Sequence, residues 1–127
     1  MSDAITRRGD AARRRVLGDA HVDRSRAGPD ALNAPFVDLI TDAAWGHVWG
    51  RETISDRERS MMTIALLAGL GNYEELALHV RATANTGATR DDVVEALMHV
   101  AIYAGVPRAN HAFKIVRDTF AEMEETQ

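Results

Sequence analysis

The chain contains no cysteine among its 127 residues. It therefore forms no disulfide, and it has no thiolate that could attack a substrate, reduce a peroxide or ligate a metal ion. These exclusions hold whatever fold the chain adopts. They remove thiol peroxidases, cysteine nucleophiles and cysteine-ligated metal sites from the classes of function to be considered.

Proline and long apolar runs are also scarce. The chain has three prolines, and its longest nearly apolar run, Met61–Gly71, is too short to span a bilayer. The polar segment Met1–Asp10 lacks the apolar core of a signal peptide. With 46% hydrophobic and 27% charged residues, the composition is typical of a soluble globular protein. We therefore expect a cytoplasmic protein with a single domain over 1–127.

The charge is distributed unevenly along the chain. The net charge is −4, but the first 26 residues hold seven arginines against four aspartates, a net +3, so the remainder carries −7. A basic arm is compatible with nucleic-acid binding, but no aromatic interleaving or nucleic-acid motif accompanies it. Arginines that bind a small anionic ligand, or an acidic neighbouring subunit, fit the total charge better.

Apolar spacing predicts an all-α fold, a bundle of five to six short helices without strands. Gly18–Ser25 is predicted to be irregular and is followed by the breaker pair Gly28-Pro29, so 1–32 is expected to be mostly arm and loop and 33–125 the helical core. Caps and helix stops set the predicted helices at Thr6–Leu17, Pro35–Trp49, Asp56–Gly69, Asn72–Gly87, Arg90–Ala104 and Pro107–Glu124.

Several of these helices are rich in apolar residues. The run from Met61 to Leu70 is almost wholly apolar, which predicts burial on most sides, and Val93–Ala104 is similar. Together they exceed what a small bundle buries, so we expect the chain to oligomerise. On the predicted helix Pro35–Trp49, one face is shared by Phe36, Leu39, Ile40, Ala43 and His47.

The predicted helix Asn72–Gly87 carries a carboxylate and an imidazole four residues apart. Asn72 is its expected cap and Gly87 its expected stop, and the spacing places Glu75 and His79 on one strip of its surface. Such a pair beside a buried face can transfer protons near pH 7. The alternative is an ordinary surface pair.

Two further clusters compete with this pair. Glu95, His99 and Tyr103 form a second acid–imidazole strip on the helix Arg90–Ala104. Trp45 and Trp49, four residues apart, form an aromatic strip, and such strips belong more often to a core or an interface than to a ligand cage.

Four segments of the chain are distinctive when taken together: RRRVLGDAHVDRS, NAPFVDLITDAAWGHVW, EELALHVRATANTG and HVAIYAGVPRANHAFKIV. With these segments the chain resembles the carboxymuconolactone decarboxylase family, and within it the 4-carboxymuconolactone decarboxylases. The resemblance covers nearly everything from Arg13 to Phe120 and implies an alkylhydroperoxidase D-like, oligomeric helical fold.

The wider superfamily includes alkylhydroperoxidase D-like members with a redox centre of the form Cys-x-x-Cys-x-x-x-His. In this chain the frame is kept, with His79 at the histidine, but Glu75 and Asn72 occupy the two cysteine positions. A glutamate that those members use corresponds to Ser60. We therefore reject a peroxidase function for this chain.

The resemblance implies decarboxylation of 4-carboxymuconolactone to 3-oxoadipate enol-lactone, in the protocatechuate branch of the β-ketoadipate pathway, without an organic cofactor or a metal. It suggests His79 as the proton donor, kept charged by Glu75, or Glu75 as a direct donor. His21 and Arg24 would bind the two substrate carboxylates. The further substrate-binding candidates that it suggests are Arg57, Trp45, Trp49, Tyr103 and His99.

Family resemblance also implies a homo-oligomer, often a hexamer, with a small lactone dicarboxylate as substrate and neither nucleic acid nor membrane as partner. One alternative is a related lyase or isomerase that acts on another lactone or β-keto acid. Another is a non-catalytic oligomeric binding protein with the same fold.

Overall fold

A computed structural model describes residues 3–27 and 32–125, and the regular structure within these ranges is entirely helical. The predicted breaker pair Gly28-Pro29 lies outside the described residues. The chain divides into two compact units, Met1–Ser55 and Asp56–Gln127. This boundary differs from the expected division between an arm ending at 32 and a core beginning at 33. The organisation as a single domain stays a prediction.

The first unit begins with two consecutive helices, α1 (Asp3–Leu17) and α2 (Asp19–Ala27). The prediction that Gly18–Ser25 is irregular is therefore wrong, and with it the prediction that 1–32 is mostly arm and loop. Gly18, with φ of 91°, ends α1, and α2 starts at the next residue. Arg14 bonds to Asp19 at 3.0 Å and to Asp23 at 2.9 Å, and Val22 is fully buried. These tertiary contacts stabilise a helix that local propensity does not favour.

The predicted helix Pro35–Trp49 consists of α3 (Ala34–Ile40) followed by a π-helix (Thr41–Trp49). The face predicted from spacing is exposed at Phe36 and Leu39, each by 61%, and at His47. The π-helix pairs each N–H with the carbonyl five residues back, which rotates later side chains relative to an α-helix. The buried residues are Thr41, Trp45, Gly46 and Trp49.

Helix α1 approaches the π-helix at two glycines. A Cβ atom on Gly9 would lie 2.1 Å from the Thr41 carbonyl oxygen, and one on Gly46 would lie 2.9 Å from the Ile5 carbonyl oxygen. The two backbones therefore come close enough to exclude even a methyl group. This crossing buries Ala12 and Val16 of α1.

We expect Gly9→Ala to lower the free energy of unfolding of the first unit by about 1–3 kcal/mol, the usual cost of overpacking. Both tryptophans of the chain lie in this unit, so the fluorescence change in urea reports its unfolding. Gly69→Ala is the matched control, since its Cβ would meet only the Ala104 Cβ, at 3.4 Å. An unchanged midpoint in Gly9→Ala would contradict the close crossing.

The second unit contains α4 (Asp56–Leu70), α5 (Tyr73–Arg81), α6 (Thr83–Thr86), α7 (Arg90–Tyr103) and α8 (Val106–Glu125). Its core joins α4, α5, α7 and α8. The largest buried side chains of that core are Ile64, Leu76, Val80, Val93 and Leu97. The predicted helix bounds in this unit agree with the structure to within a few residues, except that Asn72–Gly87 is interrupted at Ala82.

The predicted caps of the second unit meet different outcomes. Thr89 caps α7 as predicted, accepting a hydrogen bond from the Asp92 N–H, and Asp92 accepts one from the Thr89 N–H in return. Gly87, with φ of 84°, ends α6 as predicted. The predicted cap at Asn72 is wrong in one respect, because its side chain makes no capping hydrogen bond.

The apolar helix α4 is buried on one face only. Ile64 and Ala68 are fully buried, but Met62, Leu66 and Leu70 are 50–67% exposed. The prediction of burial on most sides is therefore wrong for this chain taken alone. On α7 the apolar residues Ile102 and Tyr103 are also exposed, by 76% and 84%.

Candidate active site

The candidate site residues are divided between the two units. His21, Arg24, Trp45 and Trp49 lie in the first unit. The second unit holds Arg57, Glu75, His79, His99 and Tyr103. Within each unit the structure shows which of these side chains meet and which are used by other interactions.

His79 is the partly buried imidazole of the second unit. It lies in the last turn of α5, next to the fully buried Val80, while Glu75 lies exposed in the first turn of the same helix. Burial lowers the pKa of His79 below its usual value of 6.5, and the negative charge of Glu75 offsets part of this shift by raising it. Burial and Glu75 therefore act on His79 in opposite directions, and in the unliganded chain the effect of burial is the larger. The role of Glu75 in keeping His79 charged stays a prediction.

The residue that corresponds to the superfamily glutamate is enclosed in the second unit. Ser60 of α4 is fully buried, and its hydroxyl has no hydrogen-bond partner among the described residues. The buried Thr83 and Thr119 differ, because each donates its hydroxyl to a carbonyl of the preceding helical turn.

Arg57 is held by a carboxylate of its own chain. Its Nε and Nη2 atoms donate to the two oxygens of Asp92 at 2.7 and 2.6 Å. Arg57 and the Thr89 N–H hold the pKa of Asp92 well below its usual range. This bidentate pair links the first turn of α4 to the first turn of α7. Its position gives Arg57 a structural role in the chain as described.

His99 and Tyr103 line an apolar groove of the second unit. Their ring centroids are 6.1 Å apart, and the His99 Nδ1 atom lies 3.3 Å from the Glu95 carbonyl oxygen. The groove has a volume of about 330 Å³, and Leu66 and Leu70 contribute to its walls. The second acid–imidazole strip predicted from spacing is thus present, but the Nδ1 atom of His99 contacts the backbone carbonyl of Glu95 and not its carboxylate.

His21 and Arg24 lie on α2, where the spacing of three residues places them on neighbouring positions of the helix surface. Arg24 is exposed and His21 is half-buried. Much of the positive charge around them is already balanced, because Arg14 bonds to Asp10, Asp19 and Asp23. These carboxylates raise the pKa of Arg14. The basic character of the segment is therefore offset largely within the unit.

Trp45 and Trp49 pack against each other in the π-helix. Their ring centroids are 5.3 Å apart, and each residue is only 7% exposed. The spacing of the sequence thus correctly indicated that the two rings meet. Their burial agrees with the core alternative raised for this strip.

Two features of the structure were not predicted from the sequence. The Asp92–Arg57 pair joins residues 35 positions apart, and the π-helix has no pattern of its own that distinguishes it from an α-helix.

In the described ranges no three acidic or histidine side chains are placed to hold a metal ion. No helix within those ranges has the length and apolar character needed to cross a membrane.

Comparison with known proteins identifies similar sequences. The model of the carboxymuconolactone decarboxylase family matches residues 34–118. A 4-carboxymuconolactone decarboxylase from Acinetobacter baylyi is 39% identical over 111 residues, which cover 87% of this chain and 83% of that protein. A nitrosuccinic acid decarboxylase from Metarhizium robertsii is 34% identical over 111 residues, which cover 87% of this chain and 78% of that protein.

Proposed function

The chain belongs to the carboxymuconolactone decarboxylase family, which confirms the resemblance drawn from its sequence, and we propose that it converts 4-carboxymuconolactone to 3-oxoadipate enol-lactone and CO2. That reaction belongs to the protocatechuate branch of aromatic catabolism. The observation that carries the proposal is the partly buried imidazole of His79, four residues from Glu75 on α5. The chain has no thiol and is 39% identical to a relative named 4-carboxymuconolactone decarboxylase.

The chemistry requires one proton and stabilisation of one developing charge. The departing carboxylate of the substrate is attached next to a C=C bond that is conjugated with the lactone carbonyl. When the C–C bond to CO2 breaks, its electron pair moves through the C=C bond to the carbonyl oxygen of the lactone and gives a dienolate. Protonation at the carbon α to the carbonyl then completes the product. An enzyme accelerates this by orienting the carboxylate, stabilising the enolate oxygen and delivering the proton.

His79 is our candidate for the proton donor. In the unliganded chain burial favours its neutral form. A dianionic substrate bound nearby would favour the imidazolium, because an opposite charge within a few ångströms raises the pKa of a histidine. Binding of the substrate would thus favour protonation of His79, which then donates this proton to the dienolate. Glu75 would add to the same effect.

The other predicted residues are proposed as groups that bind the substrate. His21 and the exposed Arg24 are candidates for the substrate carboxylates, and His99 and Tyr103 for a second apolar contact. Arg57, Trp45 and Trp49 are weaker candidates, since the structure uses Arg57 to hold Asp92 and buries both tryptophans.

Nitrosuccinic acid is a second candidate substrate, favoured by the 34% identity to a relative named for its decarboxylation. In both reactions, loss of CO2 leaves an anion that is stabilised by a neighbouring group and then protonated. Loss of CO2 from the carbon that bears the nitro group leaves a nitronate, whose charge lies on oxygen and which also needs one proton. Both substrates are dicarboxylates with an electron-withdrawing group placed to accept the electron pair.

Comparison of kcat/KM for the two substrates with the same enzyme preparation tests the assignment. We expect 4-carboxymuconolactone to be preferred by about 100-fold or more, a difference of at least 2.7 kcal/mol in transition-state binding. A preference for nitrosuccinic acid would transfer the assignment to that substrate. No turnover of either by folded protein would contradict decarboxylation of this substrate class.

We further propose that the chain forms a homo-oligomer, a hexamer by resemblance to its family, through the apolar face of the second unit. This face consists of Leu66, Leu70, Ile102 and Tyr103, which are 64–84% exposed. Leu66, Leu70 and Tyr103 line one groove, and Ile102 is exposed on the same helix as Tyr103. Exposed large apolar side chains in such a group are unusual on the surface of a monomer and are typical of an interface.

Leu66→Glu is expected to weaken self-association by about 30-fold or more, because a hot-spot substitution costs at least about 2 kcal/mol. Light scattering after size-exclusion chromatography over a range of concentrations would show smaller species. Lys114→Glu, at an exposed position of α8, is the control that also adds negative charge. Identical oligomers in wild type and Leu66→Glu would contradict the proposed interface.

A further inference from the structure

The first unit contains a polar cavity that the proposed reaction does not use. It has a volume of about 430 Å³ and is lined by Arg8, Ala11, Arg15, Gly50 and Glu52. Arg8, Ala11 and Arg15 share one face of α1, since they are spaced by three and four residues. The small side chain of Ala11 leaves room between the two arginines. The volume is sufficient for a small organic molecule.

Both guanidinium groups are positioned at this cavity by the end of the π-helix. The Arg15 Nη2 atom donates to the Trp49 carbonyl oxygen at 3.3 Å. Arg8 lies across Gly50, where a Cβ atom would come within 2.3 Å of its Nε atom. Any other residue at position 50 would therefore displace Arg8. Among the residues that the structure describes, Arg8 forms no ion pair with a carboxylate.

The charges of the lining residues indicate the class of ligand. Two guanidinium groups and one carboxylate give the cavity a net charge of +1. The planar fork of arginine matches the two oxygens of a carboxylate, and Glu52 would repel a second negative charge. We propose that this cavity is a binding site for a small organic monocarboxylate, held by Arg8 and Arg15, with Glu52 disfavouring dicarboxylates.

The alternative is that the two arginines only complete the C-terminal end of the π-helix, whose last carbonyls attract cations. That alternative predicts a loss of stability when Arg8 is replaced, without any effect on ligand binding. Binding and stability measured on the same variants therefore separate the two.

The test is a titration of the full-length protein with butyrate, succinate and butyramide, followed by NMR chemical shifts. These probes have equal carbon counts and differ in charge. We expect saturable binding of butyrate that weakens at least tenfold in Arg8→Gln and in Arg15→Gln. Succinate should bind less tightly than butyrate, and Glu52→Gln should remove that difference. Arg7→Gln, on another face of α1, should behave as wild type.

Several results would overturn the proposal. They are the absence of saturable shifts with butyrate, equal binding of butyramide, or unchanged affinity in Arg8→Gln. Arg8 and Arg15 are both exposed, so both glutamine variants should fold. None of the probes is a substrate of the proposed decarboxylation, so a failure of that function would leave this test unaffected.

Discussion

His79→Ala is expected to lower kcat/KM for 4-carboxymuconolactone by about 10²–10⁴-fold, the usual contribution of a positioned proton donor. The imidazole lies on α5 beside the core, where it is partly protected from solvent. Burial lowers its pKa, and shifted pKa values are common among acid–base groups of active sites. The loss should appear in kcat as well as in kcat/KM, because the proton is delivered in the transition state.

Two neighbouring variants complete this experiment. Glu74→Gln removes an exposed carboxylate from the same turn of α5 and should leave kcat unchanged. Glu75→Gln should reduce kcat by a smaller factor than His79→Ala, since Glu75 acts on the charge of the imidazole. Equal activity of His79→Ala and wild type, with helical circular dichroism retained, would move the proton donor elsewhere, first to His21 or His99.

The second large effect concerns pH. Burial depresses the pKa of His79 below 6.5 in the free enzyme, and kcat/KM reports the free enzyme. If the imidazolium is the acid, kcat/KM should fall about tenfold for each pH unit above that pKa, as the protonated fraction declines. The profile of kcat should break at higher pH, because the bound dianion raises the pKa of the same group.

We would measure kcat and kcat/KM between pH 5 and 9, at about every half pH unit. These profiles resolve the difference between the two break points, because a shift of one pKa unit changes the rate about tenfold on the falling limb. The break in kcat/KM should disappear in His79→Ala, whatever residual rate remains. A break above 6.5 in kcat/KM would contradict the lowering of the His79 pKa by burial. A kcat/KM that rises with pH to a plateau, or a break that persists in His79→Ala, would show that protonated His79 is not the acid.

We also expect the second unit to be less stable in mild acid than at neutral pH, which unfolding in urea at pH 5 and pH 7 would measure. A histidine with a depressed pKa binds more protons in the unfolded chain than in the folded one. The stability that its neutral form provides is therefore present above pH 6.5 and is lost as the pH falls through the folded-state pKa.

The sequence predicted best those elements whose ends are marked by local chemistry. Helix α7 begins at Thr89 and α6 ends at Gly87 because a hydroxyl cap and a left-handed glycine act over a few residues. Helix α2 was not predicted, because its stabilising contacts reach across the turn to Arg14. The π-helix was also not predicted. An apolar spacing of four residues fits both helix types, so the rotation that buries Trp45 and exposes Phe36 follows only from the hydrogen-bond pattern.

Predictions about the candidate site were limited in the same way. Spacing alone placed Glu75 and His79 on one strip and brought Trp45 and Trp49 together. The pKa of His79 also depends on burial, which is a property of the folded unit and cannot be obtained from the spacing of Glu75 and His79. Arg57 was predicted as a substrate-binding residue, and its pair with Asp92 could not be predicted, because Asp92 lies 35 residues away in the chain.

The most direct test of the account is CO2 release from freshly prepared 4-carboxymuconolactone by the wild-type protein, measured against the spontaneous reaction in the same buffer. The account predicts rapid release, stoichiometric with 3-oxoadipate enol-lactone, and without added cofactor. Folded, helical protein that releases CO2 no faster than buffer would contradict the proposed decarboxylation.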